Sequence, residues 1–141
     1  MIYAVIDTNV WVSSLLPHND SSPTERIFRL LFKGEIVALY NDEIMAEYED
    51  VLSRKRFSFP QEDVDELLNY IKKNGIHADR APFNEAMPDE DDRVFLEVSL
   101  SWKDSFLVTG NLKHYPKLPK VVTPAEQGHF YASEEAIRAC Q

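Results

Sequence analysis

The sequence predicts an α/β fold, a three-layer α/β/α sandwich with a central parallel sheet. Two observations lead to this prediction. Continuous apolar runs such as IYAVI are typical of strands that are buried on both faces, and these runs alternate with segments of helical periodicity. Since parallel strands must be joined by crossover connections, helices are expected to cover both faces of the sheet. The 141 residues are expected to form one domain, residues 1–141, whose core needs no disulfide.

The first half of the chain is predicted to contain two strands and three helices. After IYAVI and a polar loop, SSPTERIFRLLFKG has Ser22 as N-cap, Pro23 at the first helical position and Glu25 completing a capping box, and Gly34 ends the helix. EIVALYN predicts a strand, and DEIMAEYEDVLSRKRF predicts the second helix. FPQEDVDELLNYIKKNG predicts a third helix that ends at Gly75.

The stretch MPDEDDRVFLEVSLSW is compatible with two structures. Its apolar residues alternate as in a strand, while Val94, Val98 and Trp102 also share one helical face. The acids after Pro88 favour a helix start, where the helix dipole stabilises negative charge, and the length exceeds a typical strand. A helix is therefore predicted here, followed by strands at SFLVTGN and KVVTP and a terminal helix at SEEAIRAC.

The composition excludes some classes of protein. No apolar run approaches the roughly 20 residues needed to cross a bilayer, so a membrane protein is not expected. The single cysteine, Cys140, and the lack of a basic leader before the first strand favour a cytoplasmic location. The net charge of −9 should repel nucleic acid at long range, so a nucleic-acid function must account for this sign.

Three groups of acids are candidates for a functional site. Asp7 directly follows the first strand, Glu47 and Glu49 lie on the second helix, and residues 89–92 form an acidic run. Ligands of open parallel sheets bind beyond the carboxyl ends of the strands, where Asp7 and the segment 109–111 are expected to lie. Mg²⁺ and Mn²⁺ take carboxylate oxygens and water as ligands, so a few converging carboxylates would hold one.

Each of these acids also has a simpler interpretation. Asp7 is equally suited to cap a following helix. Glu47 and Glu49 flank the apolar face of their helix at the same angular distance, so helical geometry does not choose between them. The acidic run also suits a helix N-terminus, where negative charge is stabilising.

Four motifs, in this order, resemble the PIN domain family. They are Asp7-Thr8-Asn9 after the opening strand, a glutamate within the helix after the second strand, an Asp-rich turn before a later helix, and a strand that ends in VTGN. The resemblance covers nearly the whole chain. It is closest to a branch of bacterial toxin components of toxin–antitoxin pairs, in which DTNV, EDDRVFLEVS and LVTGNLKHYP have near counterparts.

The resemblance implies a metal-dependent endoribonuclease on a Rossmann-like sheet, with an acidic site at the strand ends. Asp7, Glu47 and Asp92 are implied to be catalytic and to hold Mg²⁺ or Mn²⁺, with Asp89 as a further metal ligand. Water activated by the ion would attack the phosphorus of the RNA backbone. The supporting or substrate-contacting residues that the resemblance implies are Thr8, Asn9, Asp91, Thr109, Asn111 and His114.

One motif departs from the family pattern. Many members have a further acid directly after the VTG strand, where this chain has Asn111, followed by His114. A binding module with an incomplete acidic site is therefore an alternative to the nuclease. A phosphohydrolase of the haloacid dehalogenase type also begins with Asp after its first strand, but it needs a second Asp two residues later, where this chain has Asn9.

The resemblance also implies partners. A cognate antitoxin protein is expected, and a homodimer could form through exposed aromatics such as Trp11 or Phe57. The RNA substrate is expected to meet the basic segments SRKRF and KHYPKLPK, although ordinary solvated surface is an equal interpretation of SRKRF. Because bound divalent metal offsets the acids of the site, weak and salt-sensitive RNA binding is predicted.

Overall fold

The central sheet is parallel, and its strands follow the order β3-β2-β1-β4-β5. The computed structural model describes residues 1–17 and 22–126. The predicted α/β sandwich with a central parallel sheet is confirmed. The strands are β1 Ile2–Ile6, β2 Ile36–Tyr40, β3 Ile76–His77, β4 Ser105–Val108 and β5 Val121–Val122.

Helices make the connections between these strands. A helix pair, α1 and α2, links β1 to β2, a second pair links β2 to β3, and α5 leads into β4. In the described part of the chain, no helix has the length and apolar character that a membrane span requires. The helices are α1 Thr8–Leu15, α2 Pro23–Phe32, α3 Asp42–Leu52, α4 Gln61–Asn74 and α5 Arg93–Ser101.

Several local predictions are confirmed. The Ser22 hydroxyl accepts a hydrogen bond from the Glu25 backbone N–H at 3.2 Å and caps α2, and Gly34 follows this helix with φ of 76°. The ambiguous stretch after Pro88 forms a short 3-10 turn and then α5. The predicted terminal helix SEEAIRAC lies outside the described residues.

The prediction of a polar loop directly after the first strand is wrong, because residues 8–15 form helix α1. Val10 and Trp11 bury one face of this helix. The Trp11 ring meets the rings of Phe28 and Tyr48 edge-on, with centroids 6.5 Å away in each case. A dimer contact through an exposed Trp11 is therefore wrong as well, because this side chain belongs to the core.

The second predicted helix is also shorter than expected, because α3 ends at Leu52 and not at Phe57. The Ser53 hydroxyl donates hydrogen bonds to the carbonyl oxygens of Glu49 and Asp50, at 2.7 and 3.2 Å. Such side-chain bonds compete with continuation of a helix.

The sequence did not predict β3, because a two-residue strand shows no periodicity.

Gly75 ends α4 as predicted. The reason is not the left-handed backbone conformation that glycine often adopts after a helix. Its φ is −80°, which any residue can adopt. A Cβ atom at this position would lie 2.6 Å from the carbonyl oxygen of Ile71 and 2.7 Å from that of Ala38. The missing side chain therefore lets the chain pass from α4 into β3 directly against β2.

Gly75→Ala is expected to lower the free energy of unfolding by about 1–3 kcal/mol, because the added methyl group must displace backbone carbonyls on two sides. Urea denaturation followed by circular dichroism measures this change. Lys73→Ala, at an exposed position of the same helix, is the control and should leave the midpoint nearly unchanged. An unchanged midpoint for Gly75→Ala would contradict the proposed constraint.

Candidate functional site

Asp7 lies at the carboxyl edge of the sheet, directly after β1. Its backbone N–H donates to the Val108 carbonyl oxygen at 2.8 Å, which continues the pairing of Ile6 with Val108 on β4. Asp7 occupies the N-cap position of α1, yet its side chain makes no capping hydrogen bond. The interpretation of Asp7 as a simple helix cap is therefore wrong, and the carboxylate has other contacts.

Three donors converge on one oxygen of the Asp7 carboxylate. Its Oδ2 atom accepts hydrogen bonds from the Thr109 hydroxyl at 2.8 Å and from the Tyr115 hydroxyl at 2.9 Å. The Asn9 amide adds a longer bond at 3.3 Å, and the Asn9 Oδ1 atom accepts the Gly110 N–H at 2.9 Å. The backbone of Thr8 also donates a hydrogen bond to this carboxylate.

Burial determines the electrostatics of Asp7, which is only 4% exposed. Desolvation raises the pKa of its carboxyl group, although the hydrogen bonds from Thr109 and Tyr115 oppose this rise. Burial and the charge of Asp7 also raise the pKa of Tyr115 well above its usual range, so this hydroxyl stays a hydrogen-bond donor. A bound cation would stabilise the ionised, buried carboxylate.

Glu47 approaches the same edge from α3. Its Oε2 atom accepts a hydrogen bond from the Thr8 hydroxyl, next to Asp7 in the chain. The following residue, Tyr48, is buried, and its hydroxyl donates to the Ile6 carbonyl oxygen. This bond fixes α3 on the end of β1. Burial, and the negative charge of Asp7, raise the pKa of Glu47.

The structure separates Glu47 from Glu49, which the helical pattern left equivalent. Glu49 is exposed and forms an ion pair with Lys72 of α4, with its Oε1 atom 3.0 Å from the lysine Nζ atom. Glu47 is half-buried and lies close enough to Asp7 for their charges to interact. Only Glu47 can therefore join Asp7 in one site.

The acidic run 89–92 reaches this edge through the start of α5. The His114 Nδ1 atom lies 3.0 Å from Asp92 Oδ2 and 3.8 Å from Asp89 Oδ2. Potential ligand atoms of these three residues all lie within 4.8 Å of one another. Neighbouring ligands of an octahedral ion with bonds of about 2.1 Å are about 3 Å apart, so the spacing suits a small divalent cation.

Asp92 has a strongly altered proton affinity. Burial, together with the charges of Asp7 and Asp89, raises the pKa of Asp92 to about 7, while His114 opposes the shift. Near neutral pH this carboxyl group is therefore partly protonated when no cation is present. A cation at this position would release the proton, so metal affinity should depend on pH.

Asn111 contacts the histidine and not an acid. Its side-chain amide lies 2.9 Å from the His114 Nε2 atom, and its backbone N–H donates to the Thr109 hydroxyl oxygen at 3.0 Å. The Nε2 atom of His114 therefore contacts Asn111, while its Nδ1 atom contacts Asp92. Outer contacts of this kind orient the imidazole of metal-binding histidines.

Two further residues lie near the site, and one of them was not predicted from the sequence. The side chain of Asp91 is exposed, and its backbone N–H donates to Asp89 Oδ1 at 3.0 Å. Asp91 acts on Glu47 only through its charge. Tyr115 was not predicted as a site residue, although it lies in the motif LVTGNLKHYP. An aromatic residue next to His114 in a polar loop was the signal that could have identified it.

An arginine joins the helices that carry the acids. Arg80 Nη1 lies 2.9 Å from a Glu43 carboxylate oxygen on α3, and Arg80 Nη2 lies 2.8 Å from a Glu97 oxygen on α5. Glu97 is buried, and its other oxygen accepts the Phe83 N–H at 2.8 Å. These contacts tie the two helices together outside the site itself.

Among the surface grooves of the described residues, two differ in their relation to the acids. A groove of about 350 Å³ opens beside Asn9 and Asn111 and is lined further by Ser13, Thr24 and the backbone of Gly110. A larger groove of about 520 Å³ lies between α2 and α4, and none of its lining residues belongs to the acidic site. The smaller, polar groove is therefore the one that could guide a substrate.

Comparison with known proteins supports the same family as the motifs. A family model described as PIN domain matches residues 3–113, which include Asp7, Glu47, Asp92 and Asn111. PIN domains are generally nucleases and typically bind divalent metal. No curated protein and no solved structure matches the chain significantly.

Tyr115→Phe is expected to destabilise the metal-free protein by about 1–3 kcal/mol at pH 8, because the buried Asp7 carboxylate loses a hydrogen-bond donor. The loss should shrink as the pH falls through the raised pKa of Asp7, since a neutral carboxyl group needs this donor less. Urea denaturation at several pH values measures it, with Tyr3→Phe as the control. A loss that does not vary with pH would argue against this role.

His114→Asn is expected to weaken Mn²⁺ binding by at least about tenfold and Mg²⁺ binding by less, because imidazole is a better ligand for transition metals than for Mg²⁺. Calorimetric titration with each ion measures both affinities. In the unmodified protein both should rise as the pH increases through about 7, where Asp92 loses its proton. His77→Asn, on the exposed β3, is the control, and equal weakening for both ions would contradict a role of His114 as a ligand.

Proposed function

The chain belongs to the PIN domain family, and on that premise we propose that it is a metal-dependent endoribonuclease. The observation that carries the proposal is that Asp7 lies at the carboxyl edge of a parallel sheet and that its charge raises the pKa of both Glu47 and Asp92. Ligands of such sheets bind at this edge. Crowded, buried carboxylates with raised pKa values are typical of functional sites.

We infer that these three acids hold Mg²⁺ or Mn²⁺, with Asp89 and His114 as further ligands. The ligand atoms of Asp89, Asp92 and His114 lie within 4.8 Å of one another, and Asp7 and Glu47 are proposed to join this group from the same edge. A set of carboxylate oxygens with one imidazole suits Mn²⁺ and accommodates Mg²⁺. When bound, such an ion lowers the pKa of a water molecule and stabilises negative charge that develops on the phosphate.

The neighbouring residues keep the acids in position for this chemistry. Thr109 and Tyr115 restrain Asp7 through a single oxygen, and Thr8 restrains Glu47. Because these contacts exist before substrate binds, little reorganisation is needed during the reaction. Water is the proposed nucleophile at phosphorus, and the bond that breaks joins phosphorus to a ribose oxygen, which leaves with a proton from solvent. The acids would hold the ion that offsets the phosphate charge, and His114 would orient groups around the scissile phosphate.

The proposed substrate must approach a protein of net charge −9. Bound divalent metal would offset the acids, and the polar groove beside Asn9 and Asn111 offers amide groups that can contact phosphate and ribose oxygens. Lys113 and Lys117 are exposed on the segment that carries His114. RNA binding is therefore proposed to be weak and sensitive to salt.

The proposed biological role is that of a toxin in a toxin–antitoxin pair, acting in the cytoplasm. A cognate antitoxin protein would then inhibit it, for example by covering the acidic edge. A homodimer also remains a proposal, although the buried Trp11 has no part in it. We further propose that residues 1–141 form one domain.

A catalytically incomplete binding module is the second candidate, and Asn111 is the observation that favours it. Many family members have an acid at this position, whereas Asn111 contacts His114. In this case the protein would bind RNA without cleaving it. A haloacid dehalogenase mechanism has less support, since Asn9 replaces its second Asp and instead holds the Gly110 N–H.

Asp7→Asn and Glu47→Gln are each expected to lower RNA cleavage by at least about a hundredfold, because each removes a charge that holds the ion. Cleavage of a panel of single-stranded and structured RNAs, with Mg²⁺ or Mn²⁺ and with EDTA, measures this. Glu49→Gln is the matched control, since Glu49 lies on the same helix but pairs with Lys72.

Cleavage that survives Asp7→Asn or EDTA would rule out the proposed nuclease. RNA binding without cleavage, together with no binding of divalent metal by calorimetry, would instead favour the binding module. These two results are separable because calorimetry does not depend on turnover.

A further inference from the structure

A second surface feature lies just beyond the C-terminal end of α3, the helix that carries Glu47. It consists of basic and aromatic side chains, and we call it the basic-aromatic strip. The Phe57 and Phe59 rings are stacked, with centroids 5.2 Å apart and planes inclined by 6°. The Arg56 guanidinium lies over Phe57, 4.8 Å from the ring centroid. The strip comprises Arg54, Lys55, Arg56, Phe57 and Phe59.

The backbone of the strip is held in an unusual conformation. Ser58, between the two rings, has φ of 52° and is the non-glycine residue with positive φ in the described part of the chain. Left-handed backbone is costly for such a residue and is often found at functional sites. The Ser58 N–H and hydroxyl both donate to the Lys55 carbonyl oxygen at 3.1 Å and stabilise the turn.

The core accounts for only part of this arrangement. Phe59 packs against the hydrophobic core and anchors the stack, whereas Phe57 is half-buried and stands on Phe59. Arg56 covers Phe57 and is itself exposed. An exposed guanidinium group therefore lies over one of two stacked rings, and the core anchors the other ring.

The strip also concentrates positive charge in an acidic protein. Lys55 and Arg56 are exposed, and neither forms an ion pair within residues 1–17 and 22–126. Arg54 pairs with Asp50 at 3.0 Å, with both side chains largely exposed. Such surface pairs contribute little to stability, so Arg54 can exchange this partner for a phosphate group.

The strip and the acidic site are connected by α3. Glu47 lies five residues before the end of α3 at Leu52, about 7.5 Å along the helix axis, and Arg54 follows two residues beyond that end. The charge of Arg54 is also close enough to lower the pKa of Glu47 in part. A chain of a few nucleotides could span this distance.

We propose that the basic-aromatic strip binds a single-stranded segment of RNA that extends from the acidic site. An unpaired base stacks on the outer face of Arg56 and so lengthens the stack, while Arg54 and Lys55 contact phosphates. Guanidinium planes and aromatic rings stack well on unpaired bases, whose faces are free, whereas the bases of a duplex are already stacked. This inference rests on RNA being the substrate of the proposed nuclease.

Fluorescence anisotropy of labelled RNA in EDTA tests the strip without any cleavage. The probes are an unstructured oligonucleotide and the same sequence as a duplex. Phe57→Leu, which keeps apolar volume but removes the aromatic face, is expected to weaken single-strand binding by about tenfold, and Phe57→Trp should restore it. Arg54→Ala should weaken binding and lower the salt dependence by about one ion. Arg26→Ala removes an exposed cation on α2 and is the control.

Two results would overturn the proposal. One is unchanged single-strand affinity in Phe57→Leu and Arg56→Ala. The other is an equal loss for the duplex, which would indicate general electrostatic attraction. If these variants retain RNA affinity but lose a protein partner, the strip is a protein contact and the proposal also fails.

The outcome for the strip is separable from the outcome for the nuclease. Strip variants should raise KM for long single-stranded RNA while leaving the cleavage of RNA too short to reach the strip unchanged. If Asp7→Asn abolishes cleavage while Phe57→Leu alters neither affinity nor KM, the strip proposal fails and the nuclease stands. If no RNA is cleaved but single-strand binding in EDTA depends on Phe57, the strip proposal is supported and the nuclease proposal fails.

Discussion

The burial of a carboxylate at the end of the central strand is the constraint on which the acidic edge depends. β1 lies between β2 and β4, so Asp7 has a neighbouring strand on each side. The β4 side supplies Thr109 to its Oδ2 atom, and the loop beyond supplies Tyr115. On the other side, the bond from Tyr48 to the end of β1 brings Glu47 into position. The sheet order therefore decides which side chains surround Asp7.

The acids at this edge lie close enough to repel one another, which is unfavourable for their ionised forms. Burial and mutual repulsion raise the pKa values of Glu47 and Asp92, and burial raises that of Asp7. Hydroxyl donors and the His114 ring offset part of this cost within the site. Arg80 joins α3 and α5 from outside through two other carboxylates. A bound cation would offset the remaining negative charge of the site.

Although the protein as a whole is negatively charged, acidic and basic residues occupy different positions on and just after α3. Acids occupy the edge at Glu47, while three consecutive cations begin at Arg54, just beyond the C-terminal end of the helix. Positive charge is favourable there because the helix dipole is negative at this end. A chain can thus carry an excess of acids and still present cations beside its acidic site.

The sequence by itself determined the α/β class, the parallel sheet and most helix positions, because buried runs and caps such as Ser22 are local signals. Motif order also led to the prediction of Asp7, Glu47 and Asp92 as site residues. Only the tertiary structure decided that Trp11 is buried and that Tyr115 contacts Asp7, 108 positions away in the chain. A local pattern specifies which face of an element is apolar, whereas the partner of that face depends on how distant segments meet.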